Sequence, residues 1–116
     1  MPVLHYDSAP IQHPLPGIER RLVHLEKLLT AVLDFSNGPQ TEPDPLHSHV
    51  HEQTSYIAEG EVLFFMEGDE PQHLKAGDMF YVPANKLHGI QLLTEKARLV
   101  DSFSPVREDF LNLQET

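Results

Sequence analysis

Short apolar stretches separated by turn residues set the rhythm of the second half of the chain. Val62-Leu63-Phe64-Phe65-Met66 is a continuous apolar run of strand length, and Met79-Phe80-Tyr81-Val82 is a second that stops at Pro83. Between them Gly68-Asp69 has the chemistry of a two-residue hairpin turn, Gln72 to Lys75 returns, and Ala76-Gly77-Asp78 turns again. Further strands are expected from about Leu46 to Ala58, from His88 to about Leu93, and from Arg98 to Phe103 after the turn Thr94-Glu95-Lys96. Short strands with turn signals about every 8 to 12 residues predict an all-β sandwich or barrel.

The first half is less decided. Residues 1–17 hold four prolines and little periodicity, and read as an extended N-terminal arm able to cross to a partner subunit. In residues 18–35, Ile18, Leu22, Leu25, Leu29 and Val32 fall at helical spacing, while Leu29, Ala31, Leu33 and Phe35 alternate and Glu26-Lys27 offers a turn between two strands. Local signals alone leave the helix slightly ahead. Asn37-Gly38-Pro39 and Glu42-Pro43-Asp44-Pro45 make residues 36–45 a loop. At the far end Ser104-Pro105 reads as an N-cap followed by proline at the first helical position, with Glu108 and Asp109 in the first turns. A short helix from Pro105 to about Leu113 is expected.

At 116 residues the chain has room for one packed core, so residues 18–116 are taken as a single barrel domain behind the arm. The net charge of −10 argues against nucleic acid and anionic membranes as partners, and no apolar run approaches the roughly 18 residues of a membrane span. The absence of cysteine removes disulfides and thiolate ligands. With an N-terminus lacking signal-peptide character, it leads to the expectation of a cytoplasmic protein.

The stretch with the most chemistry is His47-Ser48-His49-Val50-His51-Glu52-Gln53. On an extended strand alternate side chains share a face, so His47 and His49 could present imidazoles to one point with Gln53 further along the same side. Two neutral imidazoles on a rigid strand are most of a transition-metal site. A lone histidine is more often an ordinary surface or core residue, and His5, His13, His24 and His73 are read that way.

These residues resemble the cupin superfamily. Its first motif (His-x-His, then Glu, then Gly) is met by His47, His49, Gln53 and Gly60, with glutamine at the glutamate position; its second is met by Gly77, Pro83 and His88. Asn85 stands where the family has glycine, a mild departure because asparagine tolerates positive φ, and Leu92 stands where it has asparagine. The resemblance spans about residues 30 to 103 and implies a small antiparallel jelly-roll (double-stranded β-helix) barrel, which replaces the helix over 18–35 by strands. It implies His47, His49, Gln53 and His88 as ligands of one divalent transition metal (Ni, Zn, Fe, Mn or Cu), with His51 in the pocket rather than on the metal. A neutral glutamine keeps the ion's full charge, which favours Lewis-acid polarisation of a substrate oxygen over dioxygen chemistry. Since histidine binds metal only when neutral, occupancy is expected to fall below about pH 6.5.

Alternation on the last strand places Leu99, Asp101 and Phe103 on one face, so Asp101 is either a working carboxylate inside the barrel or a structural partner. Arg107 carries a fork suited to a carboxylate, or pairs with a surface acid. The run Asp101 to Phe110 resembles the C-terminal signature of cupins of pectin and alginate breakdown that linearise 4,5-unsaturated uronates. That resemblance implies a metal-dependent isomerase acting on an anionic sugar. Asp101 would move protons, Arg107 hold the carboxylate and Phe103 contact the sugar; His51, which the family pattern does not need, is read beside them as a substrate-binding residue of the pocket. A cupin dioxygenase and a non-catalytic ligand-binding barrel are the alternatives. Small barrels often cover their edges with a second subunit, so a homodimer is expected.

Overall fold

The structure, a computed structural model, describes residues 2–112. Its elements are β1 (Ile18–His24), β2 (Leu29–Phe35), β3 (Glu52–Glu59), β4 (Glu61–Met66), β5 (Gln72–Lys75), β6 (Met79–Val82), β7 (His88–Leu92), β8 (Ala97–Ser104) and α1 (Glu108–Leu111). All strand pairs are antiparallel. One sheet runs in the order β1-β2-β8-β3-β6 and the other in the order β5-β4-β7. The all-β reading holds, with one short C-terminal helix.

The main core lies between the two sheets and contains Ile57, Val62, Phe64, Phe80, Val82, Leu92, Ala97 and Leu99. Phe64 and Phe80 stack across it with ring centroids 4.1 Å apart. A second cluster, Leu29, Ala31, Phe103 and Phe110, fills the other end of the large sheet. Strand β8 belongs to both. Its odd-numbered residues from Ala97 to Phe103 are buried, and the alternate ones are partly exposed. Paired on one side with β2 and on the other with β3, it puts Asp101 at the centre of the large sheet, facing inward.

Residues 18–35 form two strands, joined by a turn in which the Leu25 N–H donates to the Leu28 carbonyl at 2.8 Å. The alternating pattern prevails over the helical one because β8 supplies a partner edge. Leu29 faces Phe103 and Ala31 faces Asp101 in register, and both are fully buried. The helical stripe would have buried Leu25, which is instead 77% exposed. Burial against a neighbour, rather than local propensity, decides the segment.

Three local expectations differ. The histidine stretch is not one strand from Leu46, because β3 begins only at Glu52. His47 makes an isolated bridge with His88, and residues 48–51 are irregular. The backbone there is engaged elsewhere: His47 and His88 exchange both N–H···O bonds at 2.9 Å, and the Asn85 N–H donates to the His49 carbonyl at 2.7 Å. The turn after β4 spans residues 67–71 rather than two. In it the Asp69 N–H closes on the Met66 carbonyl at 3.0 Å, and Gly68 takes the positive φ as the second central residue. The helix starts at Glu108 with Arg107 as its N-cap, so Ser104-Pro105 lies outside it; the expected end at Leu113 falls outside the described residues. Asn85 does adopt positive φ, at 67°.

The N-terminal arm lies along its own barrel. The Tyr6 hydroxyl donates to Asp34 at 2.6 Å and accepts from Arg98 at 3.0 Å, and Gln12 and Arg20 exchange backbone hydrogen bonds at 2.8 Å. No helix among the described residues is long and apolar enough to cross a membrane.

Gly60, between β3 and β4, has φ of 84°, and a Cβ there would run into the Lys96 carbonyl and the Ala97 backbone. Gly68 has φ of 85° but open space around it. Gly60→Ala should therefore lower the unfolding free energy in urea by about 2 kcal/mol or more, against about 1 kcal/mol for Gly68→Ala. Equal losses would show that the crowding at Gly60 is relieved at no cost.

Candidate metal centre and substrate pocket

His47 and His49 enter the barrel on the irregular segment before β3, Gln53 on β3 itself, and His88 at the start of β7. The two-way backbone bridge between residues 47 and 88 is what brings the distant segments together. Ring centroids lie 4.3 Å apart for His47 and His88, 4.9 Å for His49 and His88, and 5.9 Å for His47 and His49. One ligand nitrogen from each of the three lies within 4.8 Å of the others.

The hydrogen bonds set which nitrogen each ring offers. His49 Nδ1 donates to the His51 carbonyl at 2.9 Å, and His88 Nδ1 donates to the Lys86 carbonyl at 2.9 Å. A His47 ring nitrogen is bonded to the Pro45 carbonyl. Each imidazole therefore turns its other nitrogen, carrying a lone pair, into the barrel. His88 Nε2 is buried there without a partner. His49 Nε2 faces Gln53 Oε1 at 3.1 Å, and the Gln53 amide nitrogen is occupied by Ser55. A neutral imidazole lone pair and an amide oxygen are both acceptors, so the contact is unfavourable unless a cation lies between them. Imidazoles held by backbone carbonyls, with one neutral oxygen donor, fit a divalent transition metal.

Burial opposes charge on His88 and His47. It pushes His88 down to about 4 and lowers His47, with the neighbouring imidazoles adding to the shift. His88 therefore stays neutral, and available as a donor, well below the usual histidine range, and His47 shifts in the same direction.

A cavity of about 420 Å3 opens beside them, with Gln53, His88, Asp101, Phe103 and Arg107 in its wall. Asp101 is buried, one carboxyl oxygen (Oδ1) has no partner, and burial pushes its pKa up to about 6 against the opposing effects of Ser55 and Arg107. Arg107 lies over the rings of Phe103 and Phe110, at 5.0 and 4.2 Å from their centroids. It also pairs in bidentate fashion with Asp109, through Nε at 3.0 Å and Nη2 at 2.7 Å. Arg107 thus pairs with an exposed acid while also lining the cavity, and its Nη1 is left unengaged by Asp109.

His51 stands apart from the other proposed residues. Its ring lies 5.6 Å from that of His49, its Nδ1 is buried without a partner, and it is neither in the three-histidine group nor in the cavity wall. Its carbonyl, which orients His49, is its clearest tie to the site. Sequence reasoning passed over four residues. Ser55 shares the inward parity of Gln53, a visible signal. Phe110 closes the cavity from α1, Asp109 holds Arg107, and Arg20 lies 3.5 Å over the Phe110 ring while donating to Gln12 at 2.9 Å. Burial lowers Arg20 to about 10, and it carried no pattern in the sequence, whereas Phe110 ends the signature run without having been given a role there. A groove of about 520 Å3 between the arm and the β1–β2 turn is larger, but its wall is mostly apolar and holds no acid–base group except His24.

Comparison with known proteins agrees with this geometry. The cupin domain family matches residues 35–103. The pectin degradation protein KdgF of Dickeya dadantii (strain 3937) is 35% identical over 107 residues, covering 90% of this chain and 94% of that protein. The structure of KdgF from a Halomonas species superposes with a TM-score of 0.81 at 30% identity, covering 91% of this chain and 96% of that one. An RmlC-like cupin from Shewanella frigidimarina gives the same TM-score at 33% identity, with 92% and 93% covered. With both histidine motifs meeting inside a two-sheet antiparallel barrel and similarity running along nearly its whole length, the chain belongs to the cupin family.

Proposed function

We propose that this cupin is a ring-opening isomerase that linearises 4,5-unsaturated uronates, the sugar acids left when polysaccharide lyases cut pectin or alginate. The observation that carries the reading is Asp101: a buried carboxyl with one free oxygen, in the same cavity wall as the imidazole–amide donor set and Arg107. The likeness to KdgF, named for pectin degradation, supports the substrate class.

His47, His49, His88 and Gln53 would hold one divalent transition metal, which supplies Lewis-acid polarisation of a substrate oxygen. Arg107, held by Asp109 and stacked between aromatic rings, offers its remaining N–H groups to the uronate carboxylate. Phe103 gives the sugar an apolar face at the cavity wall. Asp101 takes the proton from the anomeric hydroxyl as the bond between C1 and the ring oxygen breaks. C1 becomes an aldehyde, and the ring oxygen leaves on C5 as an enolate. The proton then goes to C4, giving a C5 ketone with no net gain or loss of atoms or electrons. A carboxyl pushed up to about 6 can both accept and return a proton near neutrality. His51 is proposed to act through its carbonyl, which orients His49, rather than to contact the metal.

Loss of the ultraviolet absorbance of the conjugated C4=C5 bond reports turnover directly. The metal-loaded chain should remove it without consuming oxygen. Oxygen uptake, or no loss of absorbance, would point to another cupin chemistry. Asp101→Asn should lower kcat by about 10²- to 10⁴-fold.

The same substitution should raise stability. The folded pKa of Asp101 (about 6) lies above its ordinary 3.8, so its contribution is fully present below about pH 3.8 and is lost as pH rises through about 6. In metal-free protein Asp101→Asn should therefore gain up to about 3 kcal/mol over wild type in urea unfolding at pH 8, and little at pH 4. A pH-independent difference would contradict the burial argument.

Metal retention has the opposite sign. With His88 held at about 4 and His47 also lowered by burial, protons compete less with a metal at these two rings, and metal content measured by elemental analysis should persist to lower pH. That lowers the onset of about pH 6.5 expected from free imidazole. Loss beginning at about pH 6.5 would mean the rings are hydrated.

A further inference from the structure

Gln53 is the one donor of the set whose identity depends on which way round it sits. An imidazole turned by its backbone bond can offer only a lone pair, whereas a carboxamide offers either an oxygen or an NH2. Facing His49 alone, the amide would gain by turning its NH2 towards the Nε2 lone pair. It would then close the cation site with a donor. In the structure it does the reverse, with Oε1 towards His49 Nε2 at 3.1 Å and the amide nitrogen donating to Ser55 Oγ at 2.9 Å.

Ser55 sits two residues along β3 on the same inward face and is 3% exposed. In the β3–β8 register it lies opposite Asp101, and its hydroxyl is hydrogen-bonded to the Asp101 carboxyl. A hydroxyl has one proton. An ionised carboxylate can only accept, so that proton goes to Asp101 and leaves the Ser55 oxygen as an acceptor for Gln53. Turning the amide over would set its oxygen against the Ser55 oxygen, and the serine would have to withdraw its proton from Asp101 to satisfy it. A buried carboxylate that already has one oxygen without a partner would then lose its donor as well, at the cost of an unsatisfied charge in the interior.

We infer that Ser55 is a positioning residue that keys the Gln53 carboxamide. Anchored by Asp101 on the neighbouring strand, its hydroxyl captures the amide NH2, so the cation site receives an oxygen donor. The inference rests on the metal reading of the imidazole–amide set. It also ties the metal donor to the carboxyl on which turnover is proposed to depend. The choice of glutamine is thereby coupled to an acid two strand positions away, through one hydroxyl.

The test is the affinity of the full-length chain for Zn2+ and Ni2+, measured by competition with a chromophoric chelator. Wild type is compared with Ser55→Ala, Gln53→Ala and the double variant, and circular dichroism checks that each is folded. Ser55→Ala should weaken binding about tenfold or more, the range seen when a residue supporting a ligand is removed. In the Gln53→Ala background, where no amide remains to orient, adding Ser55→Ala should change affinity less than about twofold. Any effect passing through the charge of Asp101, or through general loosening of the strand, would appear in both backgrounds and so separates from orientation. Unchanged affinity in Ser55→Ala, or equal losses in the two backgrounds, would overturn the inference while leaving the metal site standing. A wild-type chain that takes up neither ion would remove the metal reading and this inference with it.

Discussion

Three imidazole lone pairs and one amide oxygen are aimed at the same small volume, and none of the described residues donates to them. The aim is set by backbone carbonyls at Pro45, His51 and Lys86, each tied to a nitrogen of one ring so that the other nitrogen turns inward. Acceptors crowded together in a small space repel one another, and burial discourages His88 and His47 from relieving the repulsion by taking up protons. A cation is the chemical species that resolves this arrangement. The barrel is arranged around that volume: the bridge between residues 47 and 88 closes one end, and β8 carries Asp101 and Phe103 up to it from the centre of the large sheet.

Strand β8 is where fold and chemistry meet. Its alternation buries Ala97 and Leu99 in the main core, then Asp101, then Phe103 in the second cluster, so one row of side chains is apolar at both ends and acidic in the middle. A carboxyl in that row is costly when ionised, which is the physical origin of its raised pKa and of the expected opposition between stability and activity. The pairing of β2 and β3 to its two edges leaves the carboxyl little room to relax.

Much of the site was legible because metal ligation constrains residue type and spacing together. His47, His49, Gln53 and His88 were found by their pattern, and the inward face of Asp101 by simple alternation. The His47 and His49 rings do not converge through the pleat of a strand, since the backbone of residues 47–51 is bonded to residue 88 and to Asn85. Spacing signalled the site without revealing its backbone. Residues 18–35 were undecided for a related reason: helical and alternating stripes coexist there, and only the edge offered by β8 selects one. The bidentate partner of Arg107, the stacking of Arg20 on Phe110 and the role of Phe110 in closing the cavity depend on contacts between elements that no local pattern records. Ser55 was the exception, because its parity with Gln53 was visible from the start.

The central claim is that these four side chains converge on one ion. X-ray absorption of the chain loaded with one equivalent of Ni2+ or Zn2+ tests it most directly. The account predicts nitrogen and oxygen donors at about 2.0–2.2 Å with the multiple-scattering signature of three imidazoles, reduced to two in His88→Ala. A donor shell lacking imidazole, or one unchanged by that substitution, would contradict it.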